Sequence, residues 1–414
     1  MRGVVTRREL LLDSFNHGVW RCQPQACLLP YLPVSPPAGR TLVLGAGKAA
    51  ASMASVVHCS LDYPVEGLVV TRYGHNPGQP TGGIRVIEAG HPVPDESSES
   101  VALEMLALAG SVTADDRVLF LVSGGGSALL LAPIDGVKLR QKQEITRHLL
   151  ASGAPIEVIN FIRKHLSRIK GGGLSCAAAA APQITFVISD VVGDRPDLVA
   201  SGPSLPFERE PARAIELLEA YGWKVDPPLA EAIHKARAQQ ARPHDVHTIA
   251  TGHQALSAIQ HRLSAQGYEV LNLGSEIDGA AGDAALLHAR LMQDRLPDRP
   301  LAIVSGGELT VEVKATGGRG GRNLEFLAAL MQAVPEGLAY TALACDSDGI
   351  DGTEENAGAF LDSTSRQRAV AMGLDIESLR SAHDTYALFS ALGDLVTTGP
   401  TGTNVNDIRI ILVE

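Results

Sequence analysis

The chain has 414 residues, 45% hydrophobic and 20% charged, a globular composition that excludes a disordered chain and a length that implies two domains or more. A net charge of −11 without a long basic run argues against nucleic acid or an anionic membrane as partner, and 4% aromatic residues leave little for base stacking. The cysteines Cys22, Cys27, Cys59, Cys176 and Cys345 are odd in number and scattered, which fits neither a disulfide framework nor a paired zinc motif. Asp13 interrupts the leucines of MRGVVTRRELLLDSF, and no later run approaches the ~18 apolar residues of a membrane span. The expectation is a soluble protein in a reducing, cytoplasmic compartment.

Residues 7–29 read as a helix, closed by the proline-rich YLPVSPPAGR. Thr41–Leu44 is a buried-type strand running into Gly45-Ala46-Gly47-Lys48 and an alanine-rich helix, an arrangement that points N–H groups at a phosphate. It also satisfies the dinucleotide pattern G-x-G-x-x-A. A dinucleotide site, however, wants an acidic residue at the end of the next strand, and Gly67–Val70 ends in Thr71 and Arg72. Nor is it a Walker A loop, which has four residues between its glycines and a hydroxyl after the lysine. Ile84–Glu88 is a further strand. In the loop after it, His91 stands at a functional position that equally suits a structural histidine, and Asp95 or Ser97 can cap the helix carrying Val101, Met105 and Leu108. Val118–Val122 is a strand ending in Ser123-Gly124-Gly125-Gly126-Ser127.

Leu139–Leu150 and Pro155–Ile169 read as helices; Asn160, Arg163, Lys164, Ser167 and Lys170 fall off the apolar stripe and are expected on a solvated face. Strand Ile184–Ile188 ends in Ser189-Asp190-Val191-Val192-Gly193-Asp194, where carboxylates can hold magnesium or orient a hydroxyl. The polar stretch Trp223–Thr248 reads as a bridge between domains of 1–240 and 241–414. The second half runs helix 253–266, strand Glu269–Leu273, helix 279–296 and strand Leu301–Val304, with Ser305-Gly306-Gly307-Glu308 after it. Thr310–Lys314 alternates like a strand. Gly317-Gly318-Arg319-Gly320-Gly321-Arg322-Asn323 then opens a helix; glycines add no packing side chain, so the loop is expected to close on an anion with backbone N–H groups and guanidinium forks. Strand Tyr340–Ala344 precedes Asp346-Ser347-Asp348-Gly349-Ile350-Asp351, which fails the EF-hand spacing. Thr403, Asn404 and their neighbours offer hydroxyls and amides before the last strand, Ile408–Val413.

Six glycine-rich turns after strands, bringing a lysine, two arginines and several aspartates, are the equipment of phosphoryl transfer. The motifs LGAGKAA (44–50), GHPVPDE (90–96), VSGGGSALL (122–130), RKHLSRIKGG (163–172), SDVVGD (189–194), ASGPS (200–204), SGGELTV (305–311), GGRGGRNLEF (317–326), DSDGIDG (346–352) and TGPTGTNVND (398–407) resemble the class II glycerate 2-kinase family, whose carboxyl-terminal half is the MOFRL domain. Only Arg195 and Pro196, and the stretch Thr353–Asn356, depart from its pattern.

The resemblance implies ATP- and Mg²⁺-dependent phosphorylation of D-glycerate to 2-phosphoglycerate by a monomer or homodimer. It implies two α/β domains, the first Rossmann-like with a mostly parallel sheet, and an active site in the cleft between them. Lys48 and Arg322 fall on the family's catalytic lysine and arginine and are expected to stabilise charge on the transferring phosphoryl group and the glycerate carboxylate. Asp190 is expected to ligate magnesium or orient the hydroxyl, with Asp194 as a second metal ligand. Substrate and nucleotide contacts are expected at Gly45, Gly47, Ser123, Gly124, Gly125, Gly126, Ser127, Ser305, Gly306, Gly307, Glu308, Arg319, Asn323, Asp348, Thr403 and Asn404. Ser305 equally suits a buried turn. Two other readings follow from the same loops: an NAD(P)-dependent hydroxypyruvate reductase, from GAGKAA, and a non-catalytic sugar-phosphate binding protein.

Overall fold

Short apolar runs separated by helices build two sheets in a computed structural model that describes residues 6–236, 243–294, 300–311 and 318–414. The chain divides into two compact units, one of Leu28–Val191 and Arg195–Ile249, the other of Met1–Cys27, Val192–Asp194 and Ala250–Glu414.

In the first unit the strands are β1 (Thr41–Ala46), β2 (Val65–Arg72), β3 (Gly83–Ala89), β4 (Arg117–Ser123), β5 (Gln183–Ile188) and β6 (Asp245–Ala250), in the order β3-β2-β1-β4-β5-β6. The pairs from β3 through β5 are parallel. Continuous apolar runs suit strands covered on both faces, and Leu42, Leu44, Val118, Phe120 and Val187 are buried beside Met105 and Ala102 of the helix Glu96–Gly110. Asp95 caps that helix by accepting from Ser98 N–H at 3.0 Å. Ile145, Leu149, Ile159, Ile162, Leu218 and Ile233 form a separate helical core.

Two sequence expectations change here. The supposed bridge 223–248 contains the helix Pro227–Lys235 and then β6, the sixth strand of this sheet. The helix begun at Ile156 stops at His165, so helical spacing says nothing about residues 166–170. Lys164, Ser167 and Lys170 are buried rather than solvated.

The second unit adds β7 (Glu269–Asn272), β8 (Gly279–Ala280), β9 (Leu301–Gly307), β10 (Leu309–Thr310), β11 (Tyr340–Asp346), β12 (Gly358–Asp362), β13 (Leu395–Val396) and β14 (Asp407–Val413). Its main sheet has the order β13-β12-β11-β14-β9-β7 and is mixed, with β7 and β9 parallel and the other pairs antiparallel. Of the expected strand Thr310–Lys314 only Thr310 is in one, the short β10 that pairs with β8; Val311 is not, and 312–314 lie outside the described residues. Leu301, Ile303, Leu324, Phe326, Leu327 and Ile411 lie in the core.

The helix Arg7–Arg21 also belongs to this unit, whereas the sequence expectation put it in the first domain. Leu11, Phe15 and Val19 are its buried face, and Gly18 lets it approach the helix Gly252–Ala265, since a Cβ there would lie 2.7 Å from Ile259 Cδ1.

Candidate active site

The strand order of the first unit reverses direction between β1 and β4, and in an open parallel sheet ligands bind outside the carboxyl ends of strands at that reversal. Both strands end in glycine loops, and the loops interlock. Lys48 N–H donates to Gly124 O at 2.9 Å, and Ala49 N–H donates to Ser123 Oγ at 3.0 Å. Gly47 has φ 134° and lies flat against Ser123, so any side chain there collides with the β4 end. Gly45 packs on Leu121, whose carbonyl oxygen would be 2.6 Å from a Cβ.

Four basic groups gather at this end of the sheet. Thr71, near the end of β2, donates from its hydroxyl to Lys48 O at 3.3 Å, and Arg72 and His75 follow it. His91 stands two residues after β3, and its bond to Pro92 is cis. A Cβ on Gly125 would lie 3.1 Å from His91 Nε2 and 3.3 Å from Lys48 Cγ. Burial pushes the His75 imidazole down to about 4 and that of His91 to about 3, and Lys48 and Arg72 push both the same way. Positive charge beside glycine loops suits an oxyanion.

Further along the β4 loop, Gly126 packs on Ala200 and Ser127 Oγ is 2.6 Å from Ser201 Oγ. The Ser127 carbonyl accepts from Lys170 Nζ at 2.6 Å and from Arg163 Nη2 at 3.4 Å. Lys142 donates to Leu166 O at 2.9 Å and Lys164 to Asp197 O at 3.1 Å. Burial lowers the pKa of all three lysines. Arg163 and Lys170, expected on a solvated face, instead meet the loop at the Ser127 carbonyl. Asp190 stands just after β5, half-buried; Asp194, at φ 50°, falls in the second unit.

In the second unit the antiparallel register aligns Asp346, Asp407 and Gly307 in one row across β11, β14 and β9. Arg322, first residue of the helix Arg322–Ala333, meets that row. Its Nε donates to both Asp407 oxygens at 2.8 and 2.9 Å, Nη1 to Glu308 at 3.0 Å and Nη2 to Asp346 at 2.9 Å. Burial pulls its pKa down, but Asp407, Asp346 and Glu308 outweigh that and raise it. Asn323 Nδ2 donates to Asp407 at 2.8 Å. Asp351 accepts from Asn323 N–H at 3.1 Å and Leu324 N–H at 3.0 Å, capping the helix; burial first, then Asp407, pushes its carboxyl up to about 7.

The glycines around the arginines do serve packing, against the expectation. Gly318 lies on Ala382 and His383, Gly320 on Thr385 and Gly321 on Asp351, while Gly317 lies outside the described residues. Arg319 stacks over Tyr386 at 4.9 Å with Glu354 4.0 Å away.

Several other named residues are likewise engaged in the fold. The Gly306 N–H donates to Gly274 O at 2.8 Å, and Gly307 is pressed against Ile277. Ser305 Oγ lies 2.9 Å from His288 Nε2 and accepts from Arg409 Nε at 3.1 Å, in a buried network whose Arg409 Nη1 is 3.5 Å from Asp407. Asp348 accepts from Ile350 N–H at 2.8 Å. Thr403 donates to Cys22 O at 2.6 Å, and Asn404 is buried. Asp346, Asp351 and Asp407 were not singled out as site residues, although two of them stand in the Asp-rich turn and the third closes TGTNVND.

Among the described residues no group of three or more His, Cys, Asp or Glu side chains is arranged to hold a metal ion, and no helix is long and apolar enough to cross a membrane.

Residues 10–236 match the model of a domain of unknown function, DUF4147, and residues 301–407 match the MOFRL family. A D-glycerate 2-kinase from Thermotoga maritima is 37% identical over 90% of this chain and 91% of its own length. A protein of Agrobacterium vitis, provisionally named a hydroxypyruvate reductase, is 41% identical over 99% of this chain and 95% of its own. The crystal structure of a Thermotoga maritima glycerate kinase superposes with a TM-score of 0.88 at 34% identity, covering 98% of this chain and 99% of that one. With both domain models in order along the chain, and kinase relatives matched nearly end to end, the chain belongs to the class II glycerate 2-kinase family with a carboxyl-terminal MOFRL domain.

Proposed function

We propose that the protein is an ATP-dependent glycerate 2-kinase that converts D-glycerate and ATP to 2-phosphoglycerate and ADP. The observation that supports this reading is the loop geometry at the reversal of the first sheet, where the Lys48 backbone is fixed by the interlocked β1 and β4 loops. Phosphoryl transfer asks a protein mainly to position its reactants and neutralise moving charge. Lys48 is assigned to the oxygens of the transferring group. Arg322 uses three of its five N–H bonds on carboxylates, which fixes its plane and leaves two for substrate oxygens. Asp190 is assigned one of two tasks, orienting the attacking hydroxyl or ligating magnesium.

Nucleotide-borne magnesium needs only one or two protein carboxylates beside the phosphates. Asp190 is the residue that would hold it, and it would supply charge neutralisation on the phosphates. Magnesium dependence, cytoplasmic location and a monomeric or homodimeric state belong to this proposal.

A second reading, an NAD(P)-dependent hydroxypyruvate reductase, draws on the strand order of the first sheet and on the Agrobacterium vitis name. Arg72 at the end of β2 is the wrong residue for NAD but suits the extra phosphate of NADP. The test is purified protein with D-glycerate, ATP and Mg²⁺, reading ADP and separating the two phosphoglycerates. ADP with 2-phosphoglycerate is expected. Inert ATP, with NADPH consumed when hydroxypyruvate is supplied, would replace the kinase reading.

A further inference from the structure

Where a Cβ on residue 125 would stand, His91 Nε2 is 3.1 Å and the Lys48 stem 3.3 Å away, so a side chain there would crowd both, and residue 125, at φ 80°, is glycine. The loop that presents His91 is stiff. Pro92 and Pro94 fix its backbone, and Asp95 at its end caps a helix while accepting from Tyr73 OH at 2.8 Å. We propose that His91 is a further catalytic residue, donating a hydrogen bond from Nε2 to a phosphoryl oxygen of the bound nucleotide beside Lys48. This rests on the kinase reading.

An account of the ring nitrogens supports the assignment. His91 Nδ1 is enclosed and has no hydrogen-bond partner among the described residues. A buried N–H without an acceptor is the costlier orphan, so the proton belongs on Nε2 and the enclosed Nδ1 keeps a lone pair. Burial, Lys48, Arg72 and His75 together hold this imidazole at about 3, so the ring keeps one proton and works as a donor rather than a base. Behind it, His75 is 4% exposed with its Nε2 also unpartnered among the described residues. Each ring thus has one nitrogen with no partner among the described residues, and both feel the charges of Lys48 and Arg72, which leaves hydrogen-bonding capacity for a ligand. A donor aimed at oxygens whose charge shifts during transfer acts on turnover more than on binding.

The experiment compares His91→Leu, which removes the donor, with His91→Gln, which returns an N–H near the Nε2 position. Loss of one such donor lowers kcat by about 10²-fold, with KM for D-glycerate changing less than about threefold, and His91→Gln recovers at least about tenfold of the loss. The kcat–pH profile of His91→Gln keeps the wild-type shape, because the wild-type ring does not titrate in the assay range. Wild-type turnover in His91→Leu, or equal losses in both variants, would overturn the proposal. The thermal shift given by ATP alone separates this failure from failure of the kinase reading. If wild type does not phosphorylate D-glycerate but is stabilised by ATP, the contact stands when His91→Leu loses that stabilisation and His91→Gln keeps it. It falls when both variants keep it.

Discussion

Lys48 illustrates how a residue gains a role from its backbone. Its N–H is tied to Gly124, its carbonyl accepts from Thr71, and the residue before it must be glycine to lie on Ser123. Its stem therefore leaves the loop in one direction. Lys48→Ala is expected to lower kcat/KM by about 10³-fold or more, the scale of a charge-stabilising group in phosphoryl transfer. Lys48→Arg should not restore it, because a planar fork replaces a compact ammonium. Steady-state kinetics of the two variants check this, and near-normal turnover in Lys48→Ala removes the residue from the mechanism. The sequence singles this lysine out as a cation inside a glycine turn, although spacing alone suits a solvated side chain equally well. The weight of His91 was not legible, since nothing in GHPVPDE tells an orphaned ring from a bonded one.

Among the elements, the helix Arg322–Ala333 depends on a carboxylate far along the chain. Asp351 accepts two of its first N–H groups and one from the Asn323 amide, at 3.0 to 3.3 Å, and is 1% exposed. Asp351→Ala leaves those donors buried and unsatisfied, which costs about 2–3 kcal/mol. The measurement is the urea midpoint; a change under ~0.5 kcal/mol would mean that water replaces the cap. The strands and the first sheet's parallel order were readable, because buried strands are continuous apolar runs ended by glycine. Side-chain position beyond a helix end was not. Lys170 was assigned to a face of a helix that stops at His165, and it instead lies under the Ser127 carbonyl. The glycines at 318–321 were misread for a related reason: a glycine shows that something comes close, not whether it is a ligand or another stretch of the same chain.

The whole molecule should resist acid poorly. His165 donates from Nδ1 to Phe161 O and accepts at Nε2 from Glu210 N–H; His288 donates to Ala284 O and accepts from Ser305 Oγ. Each ring is satisfied only when neutral. Burial holds His75, His165 and His288 at about 4 and His91 at about 3. An unfolded histidine takes up its proton near pH 6.5, so from there down to about pH 4 the unfolded chain binds protons the fold refuses. The stability these four contribute is complete above pH 6.5 and is lost as pH falls. Asp351, raised to about 7, works in the opposite sense but is one group against four. The urea midpoint is expected to drop steadily from pH 7 to 4.5, and to drop less in a variant carrying His165→Gln and His288→Gln. A flat midpoint would contradict this.

The helix Arg7–Arg21 sits in the unit built mainly from Ala250–Glu414. Arg8 bonds Asp362 and Asp394 at 2.6 and 2.7 Å, and Arg7 forms an ion pair with Glu414. The two ends of the described fold therefore touch, and the order in which the units are written along the gene is a convention that can be changed. A circular permutant beginning at Leu28 and ending at Cys27, with a short linker from Glu414 to the original start, would make nearly all of each unit continuous in sequence. It should fold to the same melting temperature within a few degrees. In the natural order the ribosome must complete more than two hundred residues before the first helix meets its partners; in the permutant that helix would be made last, onto a surface already waiting for it.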